Sequence, residues 1–582
     1  MAPLKLLPLC AALLLATACS QTAVKPSAQV ASAGAVAVGA EAASDAPVRL
    51  DDDALPKQPL TPEILFKLLL AEVAGQRGEI GLARSTYIDL ARRTGDPRIA
   101  RRAAEVALFA RDDAAALEAT RLWAAGERDS ERARQTLAAL LLSEGKLEEA
   151  EPILRDLLKE DSASRFLHLA ALMGKMRDPA AATALVERLA AAYPALPEAR
   201  FAVAQVAATG GNFVLASATL DQIDRMRPGW EPAALLRAQL LARNAPADAL
   251  AYLKGFLATY PDAREVRLAY ARALVSANQF AEARVEFTRL ARDYPGNPEV
   301  SFAAGLLALQ MGDNDAARDF LTRTLDYSPR EPDAVRYYLG QVAEQMKQFD
   351  VAAGHYAGVA SGTYLVPARA RQAALLARDG KMGDARALLR ETRGEDDTQT
   401  VRLVQAESEL LRDNKEHAAA FDVLSAGITR FPDAADLLYD RAMVAEKLDR
   451  VDVVEADLRR VIVLRPDDAQ AYNALGYTLA DRNTRLPEAV ALLEKALSLA
   501  PEDPFILDSV GWAQFRAGNL ARAQEFLERA YKVRPDPEIA AHLGEVLWAR
   551  GQRDAAGKLW QASLKAHPQN EVLLETVRRL QP

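Results

Sequence analysis

Along most of this chain apolar and small residues return every three or four positions, with polar residues filling the intervals. Residues 518–537, GNLARAQEFLERAYKVRPDP, show the unit: Ala523, Leu527 and Ala530 share one helical face, Pro535 follows them, and Gly511 stands twelve residues before Ala523. Spacings of four and three predict an amphipathic helix with one buried stripe. The proline predicts where that helix stops, since it lacks an amide hydrogen and clashes with the preceding turn.

The same phase runs through the sequence. Pro194, Pro228, Pro261, Pro295 and Pro329 are separated by 34, 33, 34 and 34 residues, and Pro432, Pro466, Pro501, Pro535 and Pro568 by 34, 35, 34 and 33. Small residues recur twelve positions apart, as in Ala170 and Ala182, Ala204 and Ala216, Ala271 and Ala283, Gly305 and Ala317, Gly340 and Ala352, Ala373 and Ala385, and Gly544 and Ala556. Weaker units sit at Ala71 with Ala83, at Ala138 with Ala150, and around Ala104, Ser408 and Ala442. A fixed period of this length predicts a repeat architecture in place of the several domains that 582 residues would otherwise imply.

These spacings resemble the tetratricopeptide repeat, two antiparallel helices with small residues at positions 8, 20 and 27 and a proline at 32. The resemblance implies an all-α superhelical solenoid. Small residues at 8 and 20 would let the helices of a pair approach closely, while large residues at 24 (Phe287, Leu321, Leu493, Leu527, Trp560) are expected to fill the space between successive units. The aspartates after Pro466 and Pro535 are placed to cap the next helix. The repeats cover residues 60–568, about fifteen units, and Leu573, Leu574, Val577 and Leu580 predict a capping helix in residues 569–582.

Composition agrees with helix: aromatics are only 6%, and Ala, Leu, Arg and Glu dominate. The net charge of -8 is spread along the chain without a basic block, which argues against a nucleic-acid partner. Both cysteines, Cys10 and Cys19, lie in the first twenty residues, so neither a disulfide framework nor a cysteine metal site is expected. That region reads as a secretory signal over residues 1–18: Lys5, an apolar run from Leu6 to Leu15, then Ala16, Thr17 and Ala18.

Leu15-Ala16-Thr17-Ala18-Cys19 resembles a bacterial lipobox, although Ala16 replaces the usual leucine. The resemblance implies that Cys19 is acylated, as with palmitate, and that Ser20 directs the protein to the outer membrane, on its periplasmic face. Ordinary signal cleavage also fits Ala16-Thr17-Ala18, but it would leave a lone thiol in an oxidising compartment. Residues 19–59 then form a lipidated N-terminus and tether, rich in small residues, with no aromatic residue and no helical apolar stripe. As a flexible coil it would reach roughly 35 Å. Asp51, Asp52 and Asp53 read as part of this solvated linker, and no metal is expected.

Catalytic chemistry is not predicted. His168, His355, His417, His542 and His567 fall in separate units without a paired metal-ligand spacing, and no phosphate-binding glycine loop occurs, so neither an enzyme nor a cofactor is expected. Each histidine reads as a surface or satisfied helix residue. In the resembling family, positions 2, 5, 9 and 12 of the first helix line the concave surface. Here they hold Phe201, Phe302, Tyr337 and Tyr439 at position 5, and Tyr477, Trp512, Phe515 and Trp548 at 9 or 12. With aromatics so scarce, these positions are candidate anchors for a protein partner; packing between repeats is the competing reading. The Lys and Asn pattern that grips an acidic C-terminal tail is absent, because Asn473 with Tyr477 and Asp508 with Trp512 occupy its positions.

Lipobox, tether and near-complete repeat coverage together are similar to the LbcA-type outer-membrane lipoproteins. That resemblance implies an adaptor that brings peptidoglycan hydrolases to a periplasmic carboxyl-terminal processing protease. An assembly factor for a pilus or an exopolysaccharide secretion machine is the alternative.

Overall fold

The computed structural model describes residues 56 and 58–580, apart from 175, 177 and 328. The signal, Cys19 and almost all of the tether lie outside the described residues. Among those described, 31 helices and no strand occur. The all-α repeat array expected from the spacing is what forms: within each of two units, most consecutive helices, of mostly 13 or 14 residues, pack as neighbours. The described residues divide into two compact units, one ending at Met311 and the other beginning at Gly312.

Local chemistry sets the helix ends. The Asp468 carboxylate accepts from the amides of Gln470 at 3.0 Å and Ala471 at 3.1 Å, and Asp536 accepts from Glu538 at 2.9 Å. Each such cap is worth about 1 kcal/mol. Asp503 does the same for the helix Pro504–Arg516. That helix closes on Gly518, whose φ of +83° only glycine adopts without strain. The Asn519 amide then reaches back to the Gln514 carbonyl at 2.8 Å, which satisfies a carbonyl the helix leaves open.

The one 35-residue interval, between Pro466 and Pro501, has a local explanation. Its extra residue is taken up in the turn between Ala469–Asp481 and Leu486–Leu499, where both Asn483 and Arg485 adopt left-handed conformations, with φ of +54° and +45°.

Within a pair the close approach depends on position 8. A Cβ at Gly511 would lie 2.6 Å from Leu527 Cγ and 3.2 Å from the Ala523 carbonyl oxygen; one at Gly476 would lie 2.6 Å from Leu493 Cγ. This corrects the expectation for position 24. Its large side chain seats on the small residue of its own pair, because the absent Cβ leaves a hollow of its size there, and is not confined to the space between units.

Ion pairs on buried carboxylates fix several pairs further. Arg441 forks onto Asp457 with both contacts at 2.7 Å, and Glu407 holds Arg386 at 2.9 Å and Arg390 at 3.0 Å. The last described helix, Glu571–Leu580, packs on Pro537–Ala549; Leu573 is fully buried there, and Arg579 bonds Glu545 at 2.5 Å.

Candidate interaction surface

Three successive first helices, Ala469–Asp481, Pro504–Arg516 and Pro537–Ala549, bring aromatic and acidic side chains to one cluster. The Trp512 ring stacks on the His542 imidazole, with centroids 4.3 Å apart and planes 23° from parallel. Its indole N–H donates to Asp481 Oδ1 at 3.1 Å, and Phe515 lies 5.2 Å from it. Tyr477 stands 6.3 Å from His542. At the edge of the imidazole, Nδ1 meets the Asp508 carboxylate oxygens at 2.9 and 3.0 Å.

Electrostatics follow from this enclosure. Burial alone would pull the His542 pKa down, but Asp508, then Glu545 and Asp481, outweigh it and hold the imidazole above its ordinary value. Burial is also the main cause that raises the Tyr477 hydroxyl, with Asp481 and Asp508 adding to it. In the helix Ala435–Lys447 the Asp440 carboxyl is raised by burial too, although Gln405 donates to it at 2.7 Å.

The candidate anchors thus differ in setting. Trp512 is buried at 6% exposure and Tyr337 at 3%, so in the free chain both belong to the packing between helices. Tyr337 is enclosed by Tyr338, Tyr356 and Tyr364, with centroids 5.4, 5.9 and 5.1 Å away. Phe302, Tyr439, Tyr477, Phe515 and Trp548 are half-buried and keep part of their surface available. Trp512 and Trp548 do not share one environment: Trp548 lies 5.8 Å from Trp560 and 5.1 Å from the Arg553 guanidinium, away from the stack on His542.

Sequence reasoning placed the aromatics and passed over Asp481, Asp508 and His542 as a group. A signal was present: Asp508 and His542 are 34 residues apart, one repeat, so the stacking of units sets them side by side. Of the two readings of each histidine, surface or satisfied, His542 is the satisfied one, buried and bonded to Asp508. A hollow of about 310 Å³ lies between Leu365, Arg369, Leu388 and Arg393. The Arg369 guanidinium is committed there to the Tyr356 and Val359 carbonyls at 2.7 and 2.9 Å. Among the described residues no group of three or more His, Cys, Asp and Glu could hold a metal ion, and no helix is long and apolar enough to cross a membrane.

Paired helices at a 34-residue period, with small residues at each close contact, define a tetratricopeptide-repeat solenoid. The chain belongs to this family of TPR repeat-containing proteins. Two tetratricopeptide-repeat models match it, one over residues 240–306 and one over residues 302–364, 439–504 and 511–571. It is 34% identical over 520 residues to the TPR repeat-containing protein PA4667 of Pseudomonas aeruginosa, covering 89% of this chain and 88% of that one. Solved structures similar to parts of it include a tetratricopeptide repeat protein from Parabacteroides merdae (14% identity, 49% of this chain and 99% of that one, TM-score 0.34). MamA from Desulfovibrio magneticus is another (17% identity, 29% and 97%, TM-score 0.26). Proteins of this family are in general non-catalytic scaffolds that bind other proteins.

Proposed function

We propose that this protein is a non-catalytic scaffold, lipid-anchored through Cys19 to the periplasmic face of the outer membrane, that serves as an adaptor for a carboxyl-terminal processing protease. In this reading it brings peptidoglycan hydrolases to the protease as substrates. The observation that carries the scaffold reading is the set of half-buried aromatics Tyr477, Phe515 and Trp548 on three successive first helices, held in place by the buried stack of Trp512 on His542. Such a surface offers a partner large flat contacts beside charge. The anchored, exported setting is supported by the signal, lipobox and tether of residues 1–59.

Capture of partners from an envelope extract by the processed chain tests the proposal. Recovery of a processing protease together with cell-wall hydrolases is the expected result. Recovery of secretin or polysaccharide-export proteins in their place would favour an assembly factor, and turnover of envelope substrates by the purified chain alone would overturn the non-catalytic reading.

A further inference from the structure

The two ends of the repeat array are finished differently. At the C-terminal end Glu571–Leu580 covers the last pair. The first described helix, Pro62–Gln76, instead carries Leu65, Phe66, Leu69 and Val73 along one side, and Phe66, Leu69 and Val73 are 64, 55 and 43% exposed. With Ala71 at position 8, these three hold positions 3, 6 and 10. In the unit of Gly544 the same positions are Ile539, His542 and Val546, all buried, because that face receives the preceding pair. The helix Pro62–Gln76 thus presents the surface that mediates stacking between repeats, uncovered by any described residue. Four adjacent aliphatic and aromatic side chains in water are the mark of an interface.

We infer that this face joins two copies of the chain, first helix against first helix, antiparallel about a twofold axis. The tether residues 20–59 carry no helical apolar stripe and so offer no matching ridge, whereas the stripe is its own complement, as a twofold interface requires. The charges agree with the same register. Glu63 and Arg77 each lie seven residues from Leu70, so a twofold axis near Leu70 sets Glu63 of each copy against Arg77 of the partner subunit. Glu63 is exposed at that end, where it also meets Lys67 at 3.5 Å and Arg93 at 2.8 Å. Arg77 is exposed at the other.

Sedimentation equilibrium of the full chain over a range of concentrations tests this. The expected mass is twice the 63.1 kDa chain, and Phe66→Glu/Leu69→Glu should weaken association at least tenfold with helical circular dichroism unchanged. Glu63→Arg should weaken it less, and adding Arg77→Glu should restore it. A monomer at every concentration overturns the inference, as does association that survives Phe66→Glu/Leu69→Glu, which would assign it to residues 1–59. A monomer that floats with phosphatidylglycerol vesicles, and loses this in the same double variant, would overturn it in favour of a lipid surface.

Discussion

The indole of Trp560 occupies the place where Gly544 has no side chain: a Cβ added to that glycine would stand 2.0 Å from Trp560 Nε1 and 2.3 Å from Cε2. The two residues sit at positions 8 and 24 of one repeat. The same relation holds between Gly340 and Tyr356, where the nearest ring carbon would be 2.4 Å away. At these two units a glycine at 8 therefore leaves room for the aromatic ring at 24, whereas alanine at 8 meets a leucine in the unit of Ala442 and Leu458 and a phenylalanine in that of Ala271 and Phe287.

Gly544→Ala should consequently destabilise the last units by about 1 to 3 kcal/mol, the usual cost of overfilling a packed contact. Gly544→Ala/Trp560→Leu should recover part of it by reproducing the Ala442 and Leu458 pair. Thermal unfolding with site-resolved hydrogen exchange reads this, and the loss should fade with distance because repeats couple through nearest neighbours. Equal loss of protection in every unit would contradict the repeat model.

His542 gives the fold a pH dependence of definite sign. Its folded pKa lies above the unfolded value near 6.5, so its stabilising contribution is complete below about pH 6.5 and is lost as pH rises through the folded pKa. Melting temperature should fall on the alkaline side. Asp508→Asn, which removes the strongest partner carboxylate, should flatten that part of the profile; an unchanged slope would show that His542 does not carry it.

Asp457→Ala should be among the most damaging surface-distant substitutions, because it leaves the Arg441 guanidinium without its bidentate partner inside the pair. Removing one member of a fully buried ion pair typically costs about 3 to 5 kcal/mol, and the partial exposure of Arg441 should bring this loss below that range. Chemical denaturation of Asp457→Ala beside Asp457→Ala/Arg441→Met measures it, and the second substitution should return part of the loss.

Trp512 and Trp548 separate packing from recognition. Trp512→Ala removes a buried ring and should cost about 3 to 5 kcal/mol of stability. Trp548→Ala, at a half-buried position, should cost less and instead weaken partner binding by about 2 kcal/mol or more if Trp548 is an anchor. Melting and affinity measured on each variant distinguish the two roles. Unchanged affinity in Trp548→Ala would remove it from the binding surface.

The period of prolines and small residues determined the helix pairs, their order and their caps, because each of those choices is local: a proline ends a helix and an aspartate before a first turn caps it wherever they occur. Even the 35-residue interval was visible, although only the turn at Asn483 and Arg485 shows where the extra residue goes. Which face of each aromatic is covered was not local. Trp512 at position 9 and Trp548 at position 12 both belong to the set expected on one surface, yet one is sealed by His542 from the next unit and the other keeps part of its surface. Tertiary structure alone decided that, as it decided that Asp481, Asp508 and His542 share one enclosure. Burial and charge at a residue depend on what the neighbouring repeat places opposite it, and that neighbour lies 30 or more residues away in the sequence.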